Sequence, residues 1–244
     1  MNPMRTIRRG WITCISFLYT GYICAYLMLQ GWRKREPGVW VDDFLQNWGQ
    51  TLLRWLGTKC TVVNPKNICP KLGRPTIIMC NHSSMYDIPI SFLVFPKSSL
   101  RMLAKRELSR VPFLGGAIRA AGFPMIDRKN REQAIRDLAE VRKLMEQGSV
   151  IWMAPEGTRA KDGRLGSFKK GGFVLAIQTQ AVIIPIGIRG ASDILPTHTF
   201  LVQENKPVEV HVGAPIDASE YTLQMRAQLL EKVREEMLVL TGEK

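Results

Sequence analysis

A chain of 244 residues, 45% hydrophobic and 23% charged, is long enough for one sizeable domain and too apolar to be disordered. A net charge of +13 calls for anionic partners, yet no finger, homeodomain or RNA-recognition signature is present and no aromatics interleave the cations, which argues against a specific nucleic-acid reader. The five cysteines, Cys14, Cys24, Cys60, Cys69 and Cys80, are an odd, unpatterned set with no C-x-x-C pair, so neither a disulfide framework nor a metal site is expected.

The first element is an apolar run. No residue from Trp11 to Trp32 is charged, which is about the 20 residues that cross a hydrocarbon core. Thr13, Ser16, Thr20, Gly21 and the tyrosines dilute it, so a full span and a helix lying in one leaflet both fit. A signal peptide fits less well, because the run is long and no small-x-small cleavage site follows. Arg5, Arg8 and Arg9 precede it, and Arg33, Lys34 and Arg35 follow before the first acid, Glu36. Cations on both flanks leave the orientation open. Trp40, Val41, Phe44, Leu45, Trp48, Leu52, Trp55 and Leu56 then recur at three- and four-residue steps, which predicts a second helix with one apolar face. That face suits a membrane interface or a core equally.

After Gly57 the pattern changes to short apolar strands, at 61–63, 76–79, 101–104, 123–126, 150–153, 182–184 and 208–210. Helices are expected at 115–121, 131–147 and 219–240. This alternation predicts an α/β fold: a single domain with a mainly parallel or mixed sheet covered by helices, preceded by N-terminal membrane-associated helices. The membrane-associated part is assigned to residues 1–57 and the α/β domain to 58–244.

Polar clusters follow the strands. Strand 76–79 runs into NHSSMYD (81–87), where Asp87 can accept a hydrogen bond from one nitrogen of His82 and leave the other basic. Five residues along a continuous helix would set the two side chains about 140° apart. The pairing therefore needs His82 in a loop and Asp87 in or near a first helical turn, as Pro89 suggests. The same residues also read as a capping-box variant, Ser84-x-x-Asp87. LAKREL (103–108) and GFPMIDR (122–128) each bring a cation, Lys105 and Arg128, to a strand edge. APEGTRAKDGRLGSFKKGGF (154–173) offers the guanidinium of Arg159 for phosphate oxygens, and Lys169 and Lys170 before a helix start at Gly171. Taken from the residues alone, this is a His–Asp base beside a phosphate site. Cys80 is expected to pack inward. His198 and His211 lack partners at useful spacing.

Four blocks in this order resemble the glycerolipid acyltransferase superfamily, and within it the 1-acyl-glycerol-3-phosphate acyltransferases. NHSSMYD is similar to the Asn-His-x4-Asp block, GFPMIDR to the second, APEGTRAKDG to the third and IIPIGIRG (183–190) to the fourth. The resemblance implies that His82 is the catalytic base and Asp87 its partner. It further implies that Glu156, Gly157 and Arg159 bind the acceptor phosphate with help from Arg128 and Lys105, and that Pro185 serves the acyl-donor side or shapes the site. Ala154 and Ala160 depart from the aromatic and the serine common at those places, which bears on acceptor preference. The implied reaction passes an acyl group from acyl-CoA or acyl-carrier protein to the sn-2 hydroxyl of lysophosphatidate. No cofactor is implied beyond that acyl thioester. Membrane lipids would be the other partner, with the catalytic domain on the cytoplasmic side. Glycerol 3-phosphate or another lysolipid is the alternative acceptor, and a non-enzymatic membrane lipid-binding protein is the alternative of a different class.

Overall fold

The computed structural model describes residues 3–33, 39–160 and 163–244. Lys34, Arg35 and Glu36 of the basic flank, and Lys161 and Asp162 of the third block, lie outside the described residues.

Helix α1 (Pro3–Arg33) is docked along its length. One stripe, Ile12, Ser16, Ile23 and Leu27, is buried against the body. Polar ties join it at several levels: Arg8 to Glu204 at 2.8 Å, the Val202 amide to Thr13 at 3.1 Å, and the Trp48 indole to Thr20 at 3.2 Å. Its opposite stripe, Ile7, Trp11, Leu18, Tyr22 and Leu29, is exposed. Among the described residues this is the one helix long and apolar enough to cross a membrane. Helix α2 (Val39–Trp55) settles the ambiguity of its tryptophan stripe toward the interior. Val41, Leu45, Leu52 and Leu53 are buried, with Trp48 against Phe92 and Trp55 against Tyr19.

The strands are β1 (Cys60–Val63), β2 (Thr76–Cys80), β3 (Leu100–Met102), β4 (Ala104–Lys105), β5 (Met125–Ile126), β6 (Val150–Met153), β7 (Val182–Arg189), β8 (Val208–Val212) and β9 (Ile216–Asp217). The helices of the body are α3 (Asp87–Ser91), α4 (Leu114–Ala120), α5 (Arg131–Glu146), α6 (Gly171–Gln178), α7 (Ala191–Ile194) and α8 (Arg226–Thr241). Seven strands form one mixed sheet in the order β1-β8-β7-β2-β6-β3, with β9 added antiparallel to β7. Strands β7, β2, β6 and β3 run parallel, and β8 lies antiparallel to β7. The expected α/β architecture is therefore the observed one.

Alternation along the strands divides the core in two. Ile78, Cys80, Trp152, Ile184 and Ile186 face the layer of α1, α2 and α3. Ile77, Met79, Ile151, Met153 and Ile183 face α5, α6 and α8. Two expectations need correction. The segment 101–104 is not one strand: the chain leaves the main sheet at Leu103, and Ala104–Lys105 pairs with Met125–Ile126 in a separate two-stranded sheet. The helix expected from residue 219 begins at Arg226, after a 3-10 turn at Ala218–Glu220 capped by Asp217.

Helix α3, which carries Asp87, is wedged against α2 at Gly49. A methyl group added there would come within 2.5 Å of the Pro89 carbonyl oxygen, so only glycine allows this approach. Gly49→Ala should cost about 1–3 kcal/mol of stability by forcing the two helices apart. Denaturant unfolding monitored by tryptophan fluorescence checks this; an unchanged midpoint would show that the contact is slack.

Candidate active site

The parallel strands β2 and β6 are neighbours, and the segments leaving their carboxyl ends are NHSSMYD and APEGTR. Helix α3 follows β2 on one face of the sheet, while α6 follows β6 on the other. A crevice outside the carboxyl ends of parallel strands, where the connections diverge, is where such sheets place their ligands.

His82 sits in the loop and Asp87 is the first residue of α3. His82 Nδ1 lies 2.9 Å from Asp87 Oδ2. The same oxygen accepts the amides of Ser83 at 2.7 Å and Ser84 at 2.8 Å. One carboxylate thus holds the imidazole and two loop amides together, while the N-cap of α3 is Tyr86 with no side-chain cap, so Ser84-x-x-Asp87 is not a capping box around this helix start. Asp87 is fully buried, and its other oxygen has no donor among the described residues. A carboxylate acceptor makes Nδ1 the protonated nitrogen and leaves the lone pair on Nε2. The imidazole is 18% exposed and meets the Trp152 ring edge-on. The ring is steadied, yet open on one side.

The backbone around His82 is held equally firmly. Asn81 donates to the Ile188 carbonyl at 2.9 Å and accepts the Ile188 amide at 2.8 Å, which fastens the loop to β7. The His82 carbonyl accepts the Ala160 amide at 2.8 Å. Arg159, exposed and one residue before Ala160, is therefore joined to the His82 loop through the main chain.

Glu156 differs from expectation. Its Oε1 accepts the His82 amide at 3.1 Å and its Oε2 the Gly166 amide at 2.9 Å, and the residue is buried. Both oxygens are turned inward onto backbone, and the side chain clamps the His82 loop to the third block. A carboxylate facing a phosphate would repel it. Burial pushes the Glu156 carboxyl above its usual range, and the amides of Gly166 and His82 pull in the opposite direction.

Two of the cations, Arg128 and Lys169, meet at Gly157, whose φ of +77° suits glycine. Arg128 donates to the Gly157 carbonyl. A side-chain carbon at Gly157 would lie 3.3 Å from both an Arg128 nitrogen and Lys169 Cγ, so the absence of one leaves room for the two cations. Lys105 is exposed on the small sheet, opposite Ile126 in register and two residues from Arg128 along that strand's continuation. Pro185 lies buried in β7, opposite Met79 of β2 in register. Cys80 is fully buried, and burial raises its thiol well above the usual range, which leaves no nucleophile there.

Sequence reading missed one hub. Asp137 on α5 is buried and accepts from Arg106, from the Asp127 amide at 2.8 Å and from Gln133 at 2.8 Å. Arg106 and Asp127 are the neighbours of Lys105 and Arg128, so one carboxylate holds both cation-bearing strands in place. His211 also has a partner that spacing did not suggest, Glu209 at 2.9 Å, far along β8 from this site.

The Acyltransferase family model matches residues 59–189, which is more than half of the chain. The chain belongs to the acyltransferase family. A putative 1-acyl-sn-glycerol-3-phosphate acyltransferase of Caenorhabditis elegans is 30% identical over 230 residues, covering 92% of this chain and 79% of that protein. A chloroplastic 1-acyl-sn-glycerol-3-phosphate acyltransferase of Arabidopsis thaliana is 32% identical over 151 residues, which span 62% of this chain and 42% of the plant protein. The matched part is thus less than half of that relative. The crystal structure of the 1-acyl-sn-glycerophosphate acyltransferase PlsC of Thermotoga maritima superposes with a TM-score of 0.80 at 25% identity, covering 100% of this chain and 97% of that one. The acyltransferase fold therefore includes the two N-terminal helices as well as the sheet.

In this acyltransferase the clamp role of Glu156 makes a distinct prediction. Glu156→Gln replaces one acceptor with a donor that faces a backbone N–H, costing about 1.5–3 kcal/mol at that contact. Turnover should fall about tenfold or more while KM for the acceptor changes little. A rise in acceptor KM with turnover intact would return Glu156 to the substrate.

Proposed function

We propose that the chain transfers an acyl group from a thioester to the sn-2 hydroxyl of 1-acyl-glycerol 3-phosphate, forming phosphatidic acid. The observation that carries this reading is the 2.9 Å pairing of His82 with buried Asp87, in a loop bonded directly to the segment that holds Arg159. Relatives along the chain are named for this reaction.

His82 Nε2 takes the hydroxyl proton as the oxygen attacks the thioester carbonyl. The C–O bond forms, the C–S bond breaks, and the imidazolium returns its proton to the departing thiolate. General base assistance of this kind contributes about 10²–10⁴-fold. Asp87 keeps the proton on Nδ1 and stabilises the charged ring. Arg159, Arg128, Lys105 and Lys169 bind the phosphate, and with it fix the hydroxyl relative to the base. Coenzyme A and acyl-carrier protein both carry the reacting thioester, and neither requires a resident cofactor.

The structure also bears on how the acceptor arrives. Helix α1 is 31 residues, about 46 Å at 1.5 Å per residue, and it is tied to the body from Arg8 to Gly31. A helix so docked cannot cross a bilayer without drawing the body in with it. Lying in one leaflet with its exposed stripe in the acyl region suits it better. The net charge of +13 favours an anionic leaflet, such as the cytoplasmic face.

Purified protein assayed with lysophosphatidate, glycerol 3-phosphate and an uncharged lysolipid, with each donor, tests the proposal. Lysophosphatidate should be preferred, and His82→Ala should lose at least about 10²-fold in turnover while keeping its folded circular dichroism. Full turnover in His82→Ala would rule the base assignment out. Arg159→Ala should raise KM about tenfold or more for phosphorylated acceptors and leave uncharged ones unaffected, as expected for a charge-assisted contact; equal losses on both would count against a phosphate role.

A further inference from the structure

Between the 3-10 helix Arg106–Arg110 and α4 stands a short tip, Val111-Pro112-Phe113, whose three residues are all exposed. Phe113 has φ +61° and ψ −47°, and the Leu114 amide donates to the Pro112 carbonyl at 2.7 Å. That is a γ-turn of the positive-φ kind, rare and strained for a residue with a side chain. The strain holds a phenylalanine 63% exposed, where it contributes little to the core. Next to it, α4 runs alongside the second half of α1: Gly116 meets Met28 and Ala120 meets Gly31. The tip precedes Gly116 by one turn, which sets it beside the turn of α1 that ends at Met28. Exposed Tyr22, Leu29 and Trp32 lie on that part of α1. Exposed Arg110 adjoins the tip in sequence, while exposed Arg119 and Arg33 lie near the C-terminal ends of α4 and α1, which meet at Ala120 and Gly31.

We propose that Val111-Pro112-Phe113 is a second membrane-inserting point, which enters an anionic phospholipid surface together with the exposed stripe of α1. The apolar tip is continuous with that stripe, and the arginines match anionic headgroups. The spacing to the site adds a reason. Lys105 is separated from the tip by the five residues of the 3-10 helix, about 10 Å at 2.0 Å per residue. Interfacial apolar groups sit about 5–10 Å into the headgroup and acyl boundary. With the tip at that depth, Lys105, about 10 Å from it along the helix, is within reach of the lipid phosphates. The proposed acceptor then meets its phosphate ligand without leaving the surface. This inference rests on the membrane reading of α1 and is independent of the catalytic assignment.

The test uses the full chain with vesicles of phosphatidylcholine containing phosphatidylglycerol. Phe113→Asp should weaken vesicle partition about tenfold or more, in line with the transfer energy of a buried aromatic side chain. Phe113→Trp should add fluorescence that is quenched by lipids brominated on the acyl chain, over and above the wild-type signal. Turnover on a short-chain acceptor dissolved as monomers should be unchanged in both variants. If Phe113→Asp does not fold, the quenching of Phe113→Trp decides alone. Unchanged partition of a folded Phe113→Asp, no added quenching, or equal binding to phosphatidylcholine alone would overturn the proposal. So would a loss of monomer turnover equal to the loss on vesicles. Inactivity of the wild type on every acceptor, with the partition and quenching results as expected, would remove the catalytic reading and leave this one standing.

Discussion

Asp87 is the constraint on which the site is built. A carboxylate with no solvent exposure must be compensated by donors, and here the donors come from the very loop it has to order. Three of them converge on Oδ2, and Oδ1 has none among the described residues. The imidazole of His82 is the side chain this carboxylate meets, and the pairing fixes which ring nitrogen faces it and which is left open. The cost of burying the carboxylate is met by the surrounding contacts: the Asn81 clamp on Ile188, the wedge of Gly49 on Pro89, and the bond from Ser84 Oγ to the Leu195 carbonyl.

Those contacts explain why the N-terminal helices belong to the site as well as to the surface. Tyr86, one residue before Asp87, is buried beside Ser16 of α1, and α2 supports α3 at its middle. Ile12 and Leu27 share a core with Ile78 and Trp152, on the face of the sheet toward which His82 also looks. A shift of α1 would therefore reach the first turn of α3 through packed side chains. The helix that has an unpartnered apolar stripe is the same helix that backs the catalytic loop.

Much of this was legible in the residues. The five-residue spacing of His82 and Asp87 was incompatible with one helix, and the chain solves it with a loop and a first turn. The polar clusters after strands 76–79 and 150–153 come to one sheet end, because parallel neighbours deliver their loops to the same side. Other features were hidden for physical reasons. Glu156 is indistinguishable in sequence from a surface ligand, since only the fold decides which way a carboxylate in a turn points. Asp137 sits at an ordinary helical position, and its partners Arg106 and Asp127 are brought to it by the small β4–β5 sheet. That sheet was invisible because two-residue strands carry no periodicity. The tryptophan stripe of α2 was undecidable as well, because a core and a membrane interface select the same side chains.

The base and the cations stand on separate supports, and this separation has a consequence. His82 and Asp87 hang from β2 and α3, Arg159 and Gly157 from β6, and Lys105 and Arg128 from the small sheet steadied by Asp137. Beyond the ladder of β2 with β6, Glu156 and Ala160 join the third block to the His82 loop, and Arg128 joins it to the small sheet through the Gly157 carbonyl. The third block is thus the only one of the three bonded to both others among the described residues. In the proposed reaction it sets the distance between the base and the cations, which has to match the separation of hydroxyl and phosphate in the acceptor. On that reading the chemistry belongs to His82, and the third block and the small sheet are the elements expected to govern acceptor choice.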